Sequence, residues 1–190
     1  MKRLIRSVGA LALLSLFVVA TAAAESVEDQ IAQAVLPLPE DLQAGATVVA
    51  YDPATGARKV LRPGTNTIEC EPMHADGFTR CYSNLTAPRR ELEAKLRAEK
   101  KSDQEVRDAI AAAIKAGAIK VPPFGTMSYR LSSKDSVIKR LWIMSVPYAT
   151  PESIGVSTVS QRDAALKGEG LPWLMLAGTA GAHVMIPVNK

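Results

Sequence analysis

The chain has 190 residues, 47% of them hydrophobic and 22% charged, which is enough apolar material for one domain with its own core. Its formal net charge of +4 overstates the basicity of the body, because three of the 23 basic residues precede the first long apolar run while all 19 acidic residues follow it. A body so near neutrality, with aromatic residues scattered away from basic ones, excludes an electrostatic footprint for nucleic acid and any strong attraction to an anionic membrane surface.

Lys2, Arg3 and Arg6 followed by the apolar run Leu11–Ala20 and by small residues at Ala22 and Ala24 predict an export signal over residues 1–24, cut after Ala24. That run is shorter than the ~20 residues needed to cross a bilayer, and no second one follows, so no stable membrane anchor is expected once the signal is removed. The expected location is the periplasm or the medium outside the cell. Residues 25–190 are expected to form a single globular domain, with 25–42 as a lead-in. Val27–Val35 places Ile31, Ala34 and Val35 on one side of a short helix, which Leu36-Pro-Leu-Pro39 breaks because proline lacks a donor and forces its predecessor toward extended geometry.

From Gly45 the pattern is that of strands. Ala46–Tyr51 is rich in β-branched residues, Asp52-Pro-Ala-Thr-Gly56 is a turn, and Arg58–Leu61 reads as the returning strand of a hairpin. Thr65–Cys70 and Thr79–Tyr82 read as two more strands around a loop carrying Pro72, Asp76 and Gly77. Residues 88–117 predict a helical pair. Leu92 and Leu96 share a face, Glu91/Lys95 and Glu93/Arg97 are spaced for i,i+4 pairs, and the dense charges read as a solvated face. Ser102-Asp-Gln-Glu105 is a capping box that restarts the helix after a turn at Lys100–Ser102; a single kinked helix is the alternative. Val106, Ile110, Ala113 and Ile114 make the second apolar stripe, and Gly117 suits its C-terminal cap. Met127–Leu131 and Arg140–Val146 are strands around the turn Ser132–Ser136, the latter apolar on both sides and therefore central. Residues 147–162 hold too many breakers for a long element; Leu174–Leu176 and His183–Val188 read as closing strands. The expected fold class is α+β, a largely antiparallel sheet with a helical pair inserted between strand groups.

Cys70 and Cys81 are the only cysteines, and in an oxidising compartment an even pair at short spacing reads as a disulfide. Cys70, His74 and Cys81 also give C-x3-H-x6-C, which matches no common zinc spacing and lacks a fourth ligand, and the two-residue spacing of a catalytic dithiol is absent. His74 and His183 are the only histidines, and they restrict acid–base chemistry near neutral pH. His183 in Ala182-His-Val-Met-Ile186 is the one candidate general base, or a soft-metal ligand with Met175 or Met185; strand alternation alone also accounts for its neighbours. His74 and His183 are the candidate metal ligands. Met73, Met127, Met144, Met175 and Met185 lack close repeated spacing and read as core filler. No serine sits in a nucleophile elbow, Ser132-Ser-Lys-Asp-Ser136 is a turn composition, and no helix follows Gly178-Thr-Ala-Gly181 to make a phosphate loop. No pattern calls for a cofactor.

Leu36-Pro-Leu-Pro-Glu40, Ala44-Gly-Ala-Thr-Val48, Arg62-Pro-Gly-Thr-Asn66, Cys70 with Cys81-Tyr82, Val146-Pro-Tyr-Ala-Thr150, and Pro172-Trp-Leu-Met175 followed by Ala182-His-Val-Met185 together resemble a family of small exported bacterial proteins without assigned function. The resemblance implies one secreted domain and supplies no catalytic residue. The expectation is a non-enzymatic binding or interaction module of unknown partner. The alternatives are a hydrolase-like enzyme using His183 and a metal-handling protein using His74, His183 and the methionines.

Overall fold

Ser26 opens the first helix: its hydroxyl accepts a hydrogen bond from the Asp29 backbone N–H, satisfying one of the donors that a helix start leaves unpaired. The structure, a computed structural model, describes residues 25–188, so the export signal expected over 1–24 lies outside the described residues. Helix α1 (Val27–Ala34) buries Ala34 and stops before Leu36-Pro-Leu-Pro39, and a single turn, α2 (Glu40–Gln43), follows. Strands β1 (Thr47–Tyr51) and β2 (Arg58–Arg62) form the expected hairpin. Its turn is held by the Asp52 carboxylate, which accepts 2.9 Å hydrogen bonds from Ala54 and Thr55 N–H.

Strand β3 (Ile68–Glu71) starts later than the sequence predicts, because Thr65 and Asn66 donate their N–H groups to the Gly45 carbonyl instead of joining the ladder. It pairs parallel with β1 and antiparallel with β4 (Phe78–Ser83). Helix α3 (Ala87–Ala98) and helix α4 (Asp103–Lys115) are two separate helices. Lys100 adopts a φ of 62° between them, and both halves of the Ser102/Glu105 capping box are present. The turn after α4 takes Gly117 through a φ of 74°, the left-handed geometry expected there. Strands β5 (Met127–Ser132), β6 (Arg140–Ser145), β7 (Trp173–Met175) and β8 (His183–Pro187) complete the sheet, with the short helices α5 (Pro151–Ile154) and α6 (Arg162–Leu166) between β6 and β7.

The eight strands form one sheet in the order β2-β1-β3-β4-β5-β6-β8-β7, antiparallel at every pairing but β1–β3. The fold is therefore α+β with a largely antiparallel sheet, and β6, apolar on both sides, lies in its interior. Among the described residues no helix is long and apolar enough to cross a membrane.

Alternation along the strands divides the core. One face carries Val48, Cys70, Cys81 and Tyr129, packed under Ala34, Val35 and Leu38 from the α1 region. Further along that same face Leu174 and Val184 pack with Val146, Ala149 and Ala182. Burial of each large aliphatic side chain here is worth about 1.5–3 kcal/mol. Cys70 and Cys81 stand directly opposite each other on β3 and β4 and form the disulfide, one residue pair inside the ladder from the loop they were expected to close. With the two cysteines 11 positions apart, replacing both by serine is expected to lower the free energy of unfolding by about 2–3 kcal/mol in urea titrations, through the enlarged freedom of the unfolded chain. An unchanged midpoint would refute a stabilising bridge.

Candidate functional site

The second face of the sheet is chemically divided. On β3, alternation that turns Cys70 into the apolar core turns Glu69 and Glu71 the other way, and both carboxylates are buried. A buried carboxylate needs a cation, and two arginines supply it. Arg58 of β2 donates from Nη2 to Glu69 Oε1 at 2.5 Å. Arg90 of α3, its side chain only 10% exposed, pairs with Glu71 and lies over the Tyr82 ring, its Cζ 3.7 Å from the centroid. The charges of α3 are thus not all solvated: Arg90 pins the helix to the sheet. Glu91 likewise approaches Arg58 at 3.9 Å instead of making its expected pair with Lys95, whereas the Glu93–Arg97 pair forms at 3.1 Å. The approach is close enough that a Cβ on Gly56, in the β1–β2 turn, would lie 2.5 Å from Lys95 Cα.

His74 extends this network. Its Nε2 lies 2.6 Å from Glu71 Oε2, and burial, then the nearby Arg80 guanidinium, holds the imidazole below its ordinary range. An Nε2–H at this position would donate to the carboxylate, which can only accept. Burial pushes the Tyr82 phenol up to about 12 and holds Arg90 below its usual value. A cleft of about 1000 Å³ runs along this half of the face as far as Arg130, and around Glu71 its buried charges are spent on one another.

At the middle of the face the pattern changes. Arg80 on β4 and Arg130 on β5 are directly opposite in register, and both guanidiniums sit 5.0 Å from the centroid of the Phe78 ring. Like charges in such a pair repel, while the ring face attracts each of them. Asp76 neutralises Arg80 through contacts of 2.5 and 3.1 Å. Arg130 makes no salt bridge among the described residues; burial, then the neighbouring Arg80 charge, lowers its affinity for its proton.

Beyond Arg130 lies a groove of about 510 Å³. Leu141, Met185 and Trp173, contributed by β6, β8 and β7, make its apolar floor, and Val137 and Ile138 of the β5–β6 loop make one wall. The segment Thr158–Arg162 makes the other, tied across by Arg162 Nη2 donating to the Ser136 carbonyl at 3.4 Å. Exposed apolar side chains continue its rim: Met175 and Leu176 line it, and Val159 lies between two lining residues. Such a grouping is uncommon on a surface with no ligand to cover it.

The sequence-predicted residues fall apart in space. Cys70 and Cys81 are bonded to each other, so neither is available to join His74 around a metal. His74 belongs to the polar half, tied to Glu71. His183, half-buried at the start of β8, has its Nδ1 2.8 Å from the Gly181 carbonyl and stands across from Met175. It does not line the groove, and among the described residues it has no carboxylate at ion-pair distance. No group of three or more His, Cys, Asp and Glu side chains converges on one point among the described residues. Met127 and Met144 pack against the core as expected, but Met175 and Met185 face the groove and Met73 is 46% exposed. Arg80, Arg130 and Phe78 were not distinguishable in sequence; their only signal is alternation along β4 and β5.

No family model, curated protein or solved structure matches the chain.

Removing the carboxylate that anchors α3 leaves a buried, uncompensated guanidinium. Glu71→Ala is expected to cost about 3–5 kcal/mol of stability by urea unfolding, while Glu71→Leu combined with Arg90→Met loses less than Glu71→Ala alone. A loss below about 1 kcal/mol for Glu71→Ala would mean that the pair contributes as little as an exposed one.

Proposed function

We propose that the chain is an exported, non-enzymatic binding protein and that its ligand seats in the groove between the β5–β6 loop and the segment 158–162. The observation carrying this reading is the groove itself, about 510 Å³ with an apolar floor on a sheet whose opposite face is packed. Pockets for small molecules are of this size and are mostly apolar with a few placed polar groups. Two further observations favour binding over chemistry. The titratable cluster around Glu71 is internally paired, and the histidine expected to act as a base is held by a backbone carbonyl outside the groove. The disulfide and the signal expected at the N-terminus support a workplace in the periplasm or beyond the cell.

A neutral apolar fluorophore such as N-phenylnaphthylamine tests the groove. Saturable enhancement at a single site is expected, with Ile138→Glu and Met175→Glu each weakening affinity about tenfold, near 1.4 kcal/mol. Met73→Glu, at the polar end, is expected to have no effect. Absence of saturable binding, or equal weakening by all three substitutions, would sink the reading.

A further inference from the structure

The groove combines an apolar floor with a charge imbalance. Two guanidiniums, Arg130 and Arg162, line it, and no Asp or Glu does. Arg162 donates to a backbone carbonyl and Arg130 faces Arg80, whose own carboxylate partner, Asp76, is already engaged. Within this half of the sheet face the missing element is a negative group between Phe78 and the apolar floor. A guanidinium presents two parallel N–H donors that match the two oxygens of a carboxylate, and in a partly dehydrated site that pairing is among the stronger ones available.

The positions of the parts set an orientation. Arg130 lies on β5, toward the middle of the sheet, while Leu141, Met185 and Trp173 lead outward over β6, β8 and β7 to the sheet edge, where Met175 and Leu176 are exposed. From β5 to β7 is three strand spacings, roughly 14 Å, which suits a chain of medium length. The cation is thus at the inner end and the apolar rim at the outer end. A lipid held in a bilayer keeps its head toward water and its chain in the membrane, and presents itself the wrong way round. A free amphiphile can enter head first.

We infer that the groove binds a free medium-chain monocarboxylate, its carboxylate on Arg130 and its apolar chain along Leu141, Met185 and Trp173. This rests on the groove being the binding site, and it adds the chemical class of the ligand. Arg162 stands at the wall as a second cation. The hydroxyls of Thr158 and Ser160 provide further donors there.

Isothermal titration of the purified protein with decanoate, decanol and decyltrimethylammonium separates the two levels. Decanoate is expected to bind at least tenfold tighter than decanol, with the ammonium weakest, and added salt should narrow the gap. Arg130→Met is expected to bring the ratio of decanoate to decanol affinity toward one, and Arg130→Lys to recover part of it. Equal affinity for decanoate and decanol in the wild-type protein overturns the carboxylate assignment and leaves the groove standing. Failure of all three to bind overturns both. Binding to vesicles containing anionic lipid without binding to monomeric decanoate overturns the free acid as ligand. Should Arg130→Met not fold, the three-ligand series on the wild-type protein decides alone.

Discussion

Two buried carboxylates on one short strand govern how this protein is built. Glu69 and Glu71 are carried inward by the same alternation that puts Cys70 in the apolar core, and burying an unpaired carboxylate would cost several kcal/mol. Arg58 answers one from the neighbouring hairpin and Arg90 answers the other from a helix. Arg90 therefore decides which part of the sheet α3 covers. No wholly buried apolar residue of α3 does so, since its leucines are only partly buried. The stacking of Arg90 on Tyr82 adds a desolvated cation–π contact at the same point.

Anchoring α3 over β1, β3 and β4 has a geometric consequence. The sheet is eight strands wide, and a twelve-residue helix about 18 Å long cannot cover it. Over the other half of the face stand the β5–β6 loop and the segment around 158–162, joined by a hydrogen bond from Arg162 to the Ser136 carbonyl. The groove is the space those two loops leave. Its inner boundary is Arg130 and Phe78, and Arg80 lies against the same ring with its charge paired to Asp76. The face thus passes from charges fully matched among themselves, through a point of excess positive charge, to apolar floor.

Much of the local structure was legible because it depends on neighbours in the chain. The capping box at Ser102/Glu105, the Asp52 turn, the break at Pro37 and Pro39 and the left-handed Gly117 are settled within a few residues, by backbone donors and allowed dihedrals. The separation of α3 from α4 at Lys100 follows from the same local chemistry. Two-sided hydrophobicity placed β6 in the interior of the sheet. The pairing of Cys70 with Cys81 was legible from their number, yet the register that sets them face to face came from the β3–β4 ladder. By contrast, the sequence offers nothing to separate Arg90 from the solvated charges around it on α3. Nor does it separate Arg130 from any other arginine on a strand, because the difference lies wholly in what packs above them.

The amino-acid order by itself determined where most of the longer helices and strands lie, which faces of them are apolar, and that two thiols would be available to each other. Those outcomes follow from hydrogen-bonding needs and side-chain periodicity acting over a few residues. Only the tertiary structure decided that β3 runs parallel to β1, that Glu71 meets Arg90, that His74 and His183 lie apart, and that one half of a sheet face remains open. Each of these joins segments distant in sequence, and the competition for burial that settles them has no local record.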